Sequence, residues 1–260
     1  MLENRPNGRR GEKMEKVRNL ENLPKEVRRK ILPYMNEMLK IHGENVDSIF
    51  IYGSAAAGNY RAGESDVNSA VVFKKLSFEE LKKSLKLVNR GIRKRIVAPL
   101  FFTPEYIKTS SDTFPIEFLE MKENHVLIYG EDPLTGLEID PSHIRFICEE
   151  QLKGKLIRIR QAYLEIGLRK KGMEALVKES LNSLLPVFRG LLRLKGVNPS
   201  RSREENIKLL SKSFDIDADT FFVVLKDEKN DEKVGGEDIE AFLKRYIDQI
   251  EILAEAADKL

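Results

Sequence analysis

Residues 49–73 read IFIYGSAAAGNYRAGESDVNSAVVF, and this stretch decides the fold. An apolar run ends at Gly53 and Ser54, a second glycine stands at Gly58, and Ser65 with Asp66 leads into another apolar run containing Val71 and Val72. The first run, 46–52, is rich in Ile, Val and aromatic side chains and stops at glycine, as a buried strand entering a tight turn would. A second strand is expected over 66–73. A glycine just after a strand lets the backbone approach a phosphate closely, a neighbouring serine adds a hydroxyl donor, and a helix opening there would aim its first amides at an anion. Residues two apart on a strand point to one face, so Asp66 and Asn68 are expected side by side.

In this order and spacing the residues resemble the signature of the nucleotidyltransferase superfamily, the DNA polymerase beta and kanamycin nucleotidyltransferase type of fold. That pattern is a Gly-Ser pair, a further glycine, then S-D-x-D running into apolar strand residues. Gly53, Ser54, Ala56, Gly58, Ser65, Asp66 and the Val71-Val72 pair match it, and VLIYGEDPL at 126–134 also looks like a stretch common in the family. The resemblance implies that Gly53, Ser54, Gly58 and Ser65 bind the nucleotide and that Asp66 is catalytic. It further implies that Asp66 and residue 68, with a third acid on the adjacent strand, hold magnesium or manganese. The sequence departs from the pattern at Asn68, where the family has Asp, and at Ala57, where many relatives carry a basic residue. The adjacent strand, RIVAPLFF at 95–102, contains no acid. Glu105, Glu117 and Glu120 are nearby substitutes, but solvated or salt-bridged roles are the ordinary expectation for such glutamates. An amide carbonyl can bind magnesium without supplying the negative charge that holds two divalent ions, so any ion is expected to be weakly held.

Outward from this stretch, Val27, Ile31, Tyr34, Met35 and Met38 recur at helical spacing, from Pro24 to a stop at Gly43, with Pro33 as a candidate kink. Ser77 and Glu80 have the spacing of a capping box opening a helix through Leu81, Leu85 and Val88. Further strands are expected at 96–102 and 125–129, with Thr103 and Pro104 opening a helix between them. Beyond Pro141 the pattern turns helical: long helices at 144–169 and 173–194, a capping box at Ser202 and Glu205, and a final helix carrying Ile239, Phe242, Leu243, Tyr246, Ile250 and Leu253. Leu181, Leu185, Phe188 and Leu192 share one helix face and are expected in the core. KDEKNDEKVGGED at 226–238 reads as a solvated loop. The expected fold class is α+β, a nucleotidyltransferase-type mixed sheet with flanking helices followed by an all-α bundle. Its parts are a charged tail over 1–21, the nucleotidyltransferase-like domain over 22–140 and the helical domain over 141–260.

Composition narrows the function. The chain has 260 residues, 41% of them hydrophobic, and no apolar run near the length of about 20 needed to span a bilayer, so a soluble cytoplasmic protein is expected. One cysteine excludes an internal disulfide, and three scattered histidines argue against a zinc site. A net charge of +3 from 45 basic and 42 acidic residues gives no general attraction to polyanions. Nucleic-acid binding through the N-terminal tail and LRKKG at 168–172 would have to be local, and those segments lack interleaved aromatics. Two readings stay open. One is a nucleoside-triphosphate binder with impaired transfer. The other is an active metal-dependent enzyme moving a nucleoside monophosphate onto a hydroxyl of a small molecule, protein or RNA.

Overall fold

The computed structural model describes residues 17–167, 170–228, 234 and 238–260. The basic segment 1–16, Leu168 and Arg169 of LRKKG, and most of the 226–238 run lie outside the described residues.

Helix α1 spans Lys25–His42, unbroken through Pro33, and buries Val27, Ile31, Met35 and Met38. Gly43, with φ of 58°, ends it. Strand β1, Val46–Tyr52, enters the single helical turn α2, Ser54–Ala57, and strand β2 follows at Asn68–Phe73. Helix α3 is Phe78–Ile92, strand β3 Leu100–Phe102 and helix α4 Pro104–Ser110. Helix α5, Pro115–Glu123, precedes strand β4, His125–Tyr129. The helical series is α6 Pro141–Ile166, α7 Lys170–Leu194, α8 Arg203–Phe214, α9 Ala218–Glu228 and α10 Ile239–Asp258.

The sheet order is β3-β2-β1-β4, with β1 antiparallel to both β2 and β4 and β2 parallel to β3. Ile49 and Ile51 of β1 and Val71 and Phe73 of β2 pack with the buried residues of α1 and with Leu87 of α3 in one core. A second core joins α6, α7, α8, α9 and α10, where Leu181, Leu185, Phe188 and Leu192 are at most 6% exposed, as their spacing requires. The architecture is α+β, a mixed sheet with flanking helices plus a helical part. No helix among the described residues is long and apolar enough to cross a membrane.

Among the described residues the chain folds as two compact units, one over 17–107 with Asn124–Thr135, the other over Lys108–Glu123 with the residues from Gly136 to Leu260. A single boundary at residue 140 does not follow this division, because α5 belongs with the helical unit through Ile116, which lies in the second core. Nor does order begin only after residue 21: Val17 is buried in the first core and Leu20–Asn22 forms a 3-10 turn.

Several local expectations shift. The second strand starts at Asn68 rather than Asp66, and Val67 makes only an isolated parallel bridge to Ile96. The third strand begins at Leu100, immediately after Pro99, whose missing N–H breaks the ladder to Ile96. The break between the first two long helices falls at Gly167, with φ of 62°, while Gly172 lies inside α7. Ser202 caps α8 as its spacing implies, accepting from the Glu205 amide. Ser77 is the N-cap of α3 by position but makes no side-chain cap bond. Its partner in the expected box, Glu80, turns inward: Glu80 Oε2 accepts from His42 Nδ1 at 2.5 Å and Oε1 from Lys83 at 2.8 Å. His42 Nε2 lies 2.8 Å from Ser84 Oγ. Helix α3 forms as expected, with Leu81 and Leu85 exposed and Glu80, Ser84, Leu87 and Gly91 buried. In the 226–238 run, Val234 is fully buried and its amide donates to Asp227, so this one residue is anchored rather than solvated.

Candidate functional site

Strand β1 leaves the core at Tyr52 and turns through Gly53, whose φ of 72° and ψ of −150° fall in a region open essentially to glycine alone. A Cβ on Gly53 would lie 3.0 Å from Asn68 Nδ2, so the absent side chain makes room for the Asn68 amide. Ser54 then opens α2. The Ala56 and Ala57 amides both donate to Gly53 O, leaving those of Ser54 and Ala55, at the start of the turn, with no intrahelical acceptor. Gly58 closes the turn in the left-handed region, with φ of 80°, and donates to Ser54 O.

Directly opposed residues of paired strands share a face. Tyr52 opposes Asn68 on one side and His125 on the other, so Asn68, Tyr52 and His125 form a row across this end of the sheet. His125 is held by Asp132 Oδ2 at 3.1 Å, and Asp132 also accepts from the Leu134 amide and the Thr135 hydroxyl. Burial pushes the Tyr52 phenol up from its usual pKa. The sequence pattern did not point to Tyr52 and His125 as members of this row, nor to Asp132 as the partner of His125. The available signal was HVLIYGED at 125–132, an apolar run with a histidine at one end and an aspartate just past the glycine at the other.

The remaining candidates are engaged elsewhere. Ser65 Oγ accepts from the Arg61 amide at 3.0 Å and the Ser65 amide donates to Arg61 O, so Ser65 braces the 61–65 loop. Asp66 is exposed, lies outside β2, and accepts from Arg95 Nε at 3.0 Å. Arg95 sits in the left-handed region, with φ of 61°, and its guanidinium also donates to Glu64 O while its carbonyl receives the Val67 amide. The structure therefore brings together Gly53 and Asn68. Asp66 is joined to Arg95, not to a second carboxylate.

The parallel register Ala70↔Leu100 and Val72↔Phe102 sets Leu100 and Phe102 in the row of Ala70 and Val72, on the face of Asn68. The strand beside β2 thus offers apolar side chains where a third acid is sought. Glu105 and Glu117 are exposed. Glu120 accepts from Arg189 Nε at 2.6 Å and Arg193 Nη1 at 3.2 Å within the helical unit. Among the described residues no three His, Cys, Asp or Glu side chains are grouped so as to hold a metal ion.

Among solved structures, the chain is similar to a spectinomycin adenyltransferase, AAD(9) from Enterococcus faecialis, crystallised with ATP and spectinomycin. The TM-score is 0.56 at 12% identity, over 86% of this chain and 98% of that one. The fold is that of a nucleotidyltransferase. No family model matches the chain, and no curated protein matches it in sequence. On this fold, paired acids at the end of β2 and a third on the next strand would hold two magnesium ions. The donors present do not fit such a pair: one exposed carboxylate is already bonded to a guanidinium, and a neutral amide stands two residues on.

Proposed function

We propose that the chain is a nucleotidyltransferase-like protein that binds a nucleoside triphosphate at the Gly53–Ser54 turn with its transfer chemistry impaired. The observation that carries this reading is the contact between Gly53 and Asn68: the turn that would receive phosphate is built, and an amide stands beside it in place of a carboxylate. In this reading Gly53 admits the phosphate to the backbone, the Ser54 hydroxyl and the first amides of α2 donate to it, and Ser65 and Gly58 hold the loop in shape. Asp66 and Asn68 hold any magnesium or manganese only weakly, because one formal charge is shared with Arg95. The ATP in the structure of the spectinomycin adenyltransferase supports a triphosphate as ligand class and leaves the acceptor open.

Calorimetric titration with nucleoside triphosphates, with and without magnesium, tests it. Weak binding that changes little on chelating the metal, and that Ser54→Ala reduces several-fold, is the expected result. Absence of binding at millimolar nucleotide removes the phosphate turn. Strong metal-dependent transfer by the wild type, abolished by Asp66→Ala, replaces the reading with an active transferase.

A further inference from the structure

Helix α3 carries an apolar seam that the described residues leave exposed. Phe78, Leu81, Leu85 and Ile92 are 68%, 40%, 63% and 57% exposed, and Val88 is half-buried between them. Their spacing is three, four, three, four, the a and d positions of two consecutive heptads. The buried face of the helix, Glu80, Ser84, Leu87 and Gly91, is a different one. At roughly 100° per residue the seam occupies about 80° of the helix, narrower than the face of about 100° or more that a core-facing helix presents. A seam of this width accepts the knobs of one partner helix.

Charge selects the partner. Between Lys74 and Arg95 there are nine basic residues and two acidic ones. Glu79 and Glu80 are both used locally, by Lys82 and Lys83. Lys86 and Arg93 are exposed on the side of the seam away from the buried face, and they form no ion pair among the described residues. A second copy docked seam to seam would set these cations against one another. We infer that the Phe78–Ile92 seam is a docking site for a protein partner that presents an amphipathic helix with apolar residues at heptad spacing and acidic flanks. Apolar knobs fill the seam between Phe78 and Ile92, and the partner's carboxylates meet Lys86 and Arg93. This site is independent of nucleotide binding.

The test uses the full chain and a labelled synthetic helix of roughly four heptads with Leu at a and d and Glu at e and g, read by fluorescence anisotropy. A counterpart with Lys at e and g is the charge control. The expected result is saturable, salt-sensitive binding of the acidic helix, weakened at least about tenfold by Leu85→Gln and also by Lys86→Glu. Both positions are exposed, so circular dichroism should show both variants folded. No binding of the acidic helix, equal binding of the Lys helix, or indifference to Leu85→Gln overturns the proposal. So does Leu85-dependent sedimentation with phosphatidylserine vesicles, or Leu85-dependent self-association, when the acidic helix does not bind.

Discussion

Two polar clusters lie in the same unit, and they differ in what surrounds them. Between α1 and α3, His42, Glu80 and Ser84 present the residue types that in an open cleft serve as base, orienting acid and nucleophile. The His42 side chain has no exposed surface and Ser84 is 2% exposed, with the imidazole edge-on to Phe73 at 5.0 Å. At the end of the sheet, Gly53, Ser54 and Asn68 are partly exposed, and the strained turn leaves two amides without intrahelical acceptors. The first cluster is bonded within itself and fastens two helices. The second is shaped but open. Residue types alone would rank them the other way, so access and unused donors are the better guide to a site.

The largest effect that would break this contrast is in the closed cluster. His42→Ala removes the partner of a buried carboxylate oxygen and leaves a void, and should cost roughly 3 kcal/mol of stability in denaturant titration while nucleotide affinity stays unchanged. A variant as stable as the wild type would show that the cluster does not fasten α1 to α3. The same cluster gives a pH signature. Lys83 first and His42 second hold the Glu80 carboxyl below its ordinary value of 4.5. The unfolded chain then takes up this proton more readily than the folded one. The contribution of Glu80 is therefore complete above about that value and is lost as pH falls through the lower folded value. Glu80→Gln should flatten the acid limb of a stability-against-pH curve, and an unchanged limb would assign acid sensitivity to other carboxylates.

Next in size is the open end. Gly53→Ala places a Cβ at 3.0 Å from Asn68 Nδ2 in a backbone region alanine rarely enters, at a cost of about 1–3 kcal/mol. The turn should reshape rather than the core, so triphosphate binding is expected to disappear while thermal unfolding stays cooperative. Retained binding would mean that the nucleotide, if it binds, is held elsewhere.

How much of this was legible beforehand follows from the range of the interactions. The strand, turn and strand around Gly53 are local and strongly patterned, and the apolar periodicity of Leu181, Leu185, Phe188 and Leu192 matches their burial. The buried face of α3 was not legible, because helical spacing shows that residues share a side, not whether that side meets a core. Phe78, Leu81 and Leu85 look like core and are exposed. The Ser77–Glu80 box failed because His42, 38 residues from Glu80, offers a stronger partner than a backbone amide at the helix end. The Asp66–Arg95 pair spans 29 residues and depends on a left-handed arginine, for which no sequence pattern exists. The row of Asn68, Tyr52 and His125 is set by strand register, which a single sequence does not print.

Asn68→Asp sharpens the contrast from the chemical side. Aspartate is nearly isosteric with asparagine, so the turn should persist, and a second carboxylate at this end should tighten manganese binding by about tenfold. Robust transfer is not expected, because Leu100 and Phe102 occupy the row in which a third acid would stand. Manganese affinity and labelled-nucleotide transfer measured side by side separate these outcomes, and vigorous transfer by the variant would show that a third ligand is supplied from outside that strand.

The smallest expected effect concerns Arg95, and it asks whether Asp66 is withheld from a metal or merely next to a cation. The two side chains are 45% and 51% exposed, so their ion pair is screened by solvent and worth only about 0–1 kcal/mol. Holding an arginine at φ of 61° opposes that gain by about as much. Arg95→Gln removes the charge and keeps the strained backbone, whereas Arg95→Gly removes both. Arg95→Gln should therefore be slightly less stable than the wild type and Arg95→Gly equal to it or slightly more stable, with differences below about 1 kcal/mol. Both should raise manganese affinity a few-fold, since both free the Asp66 oxygen. If affinity rises in neither, the guanidinium does not compete with the metal, and the weak binding expected at this site rests on Asn68 alone.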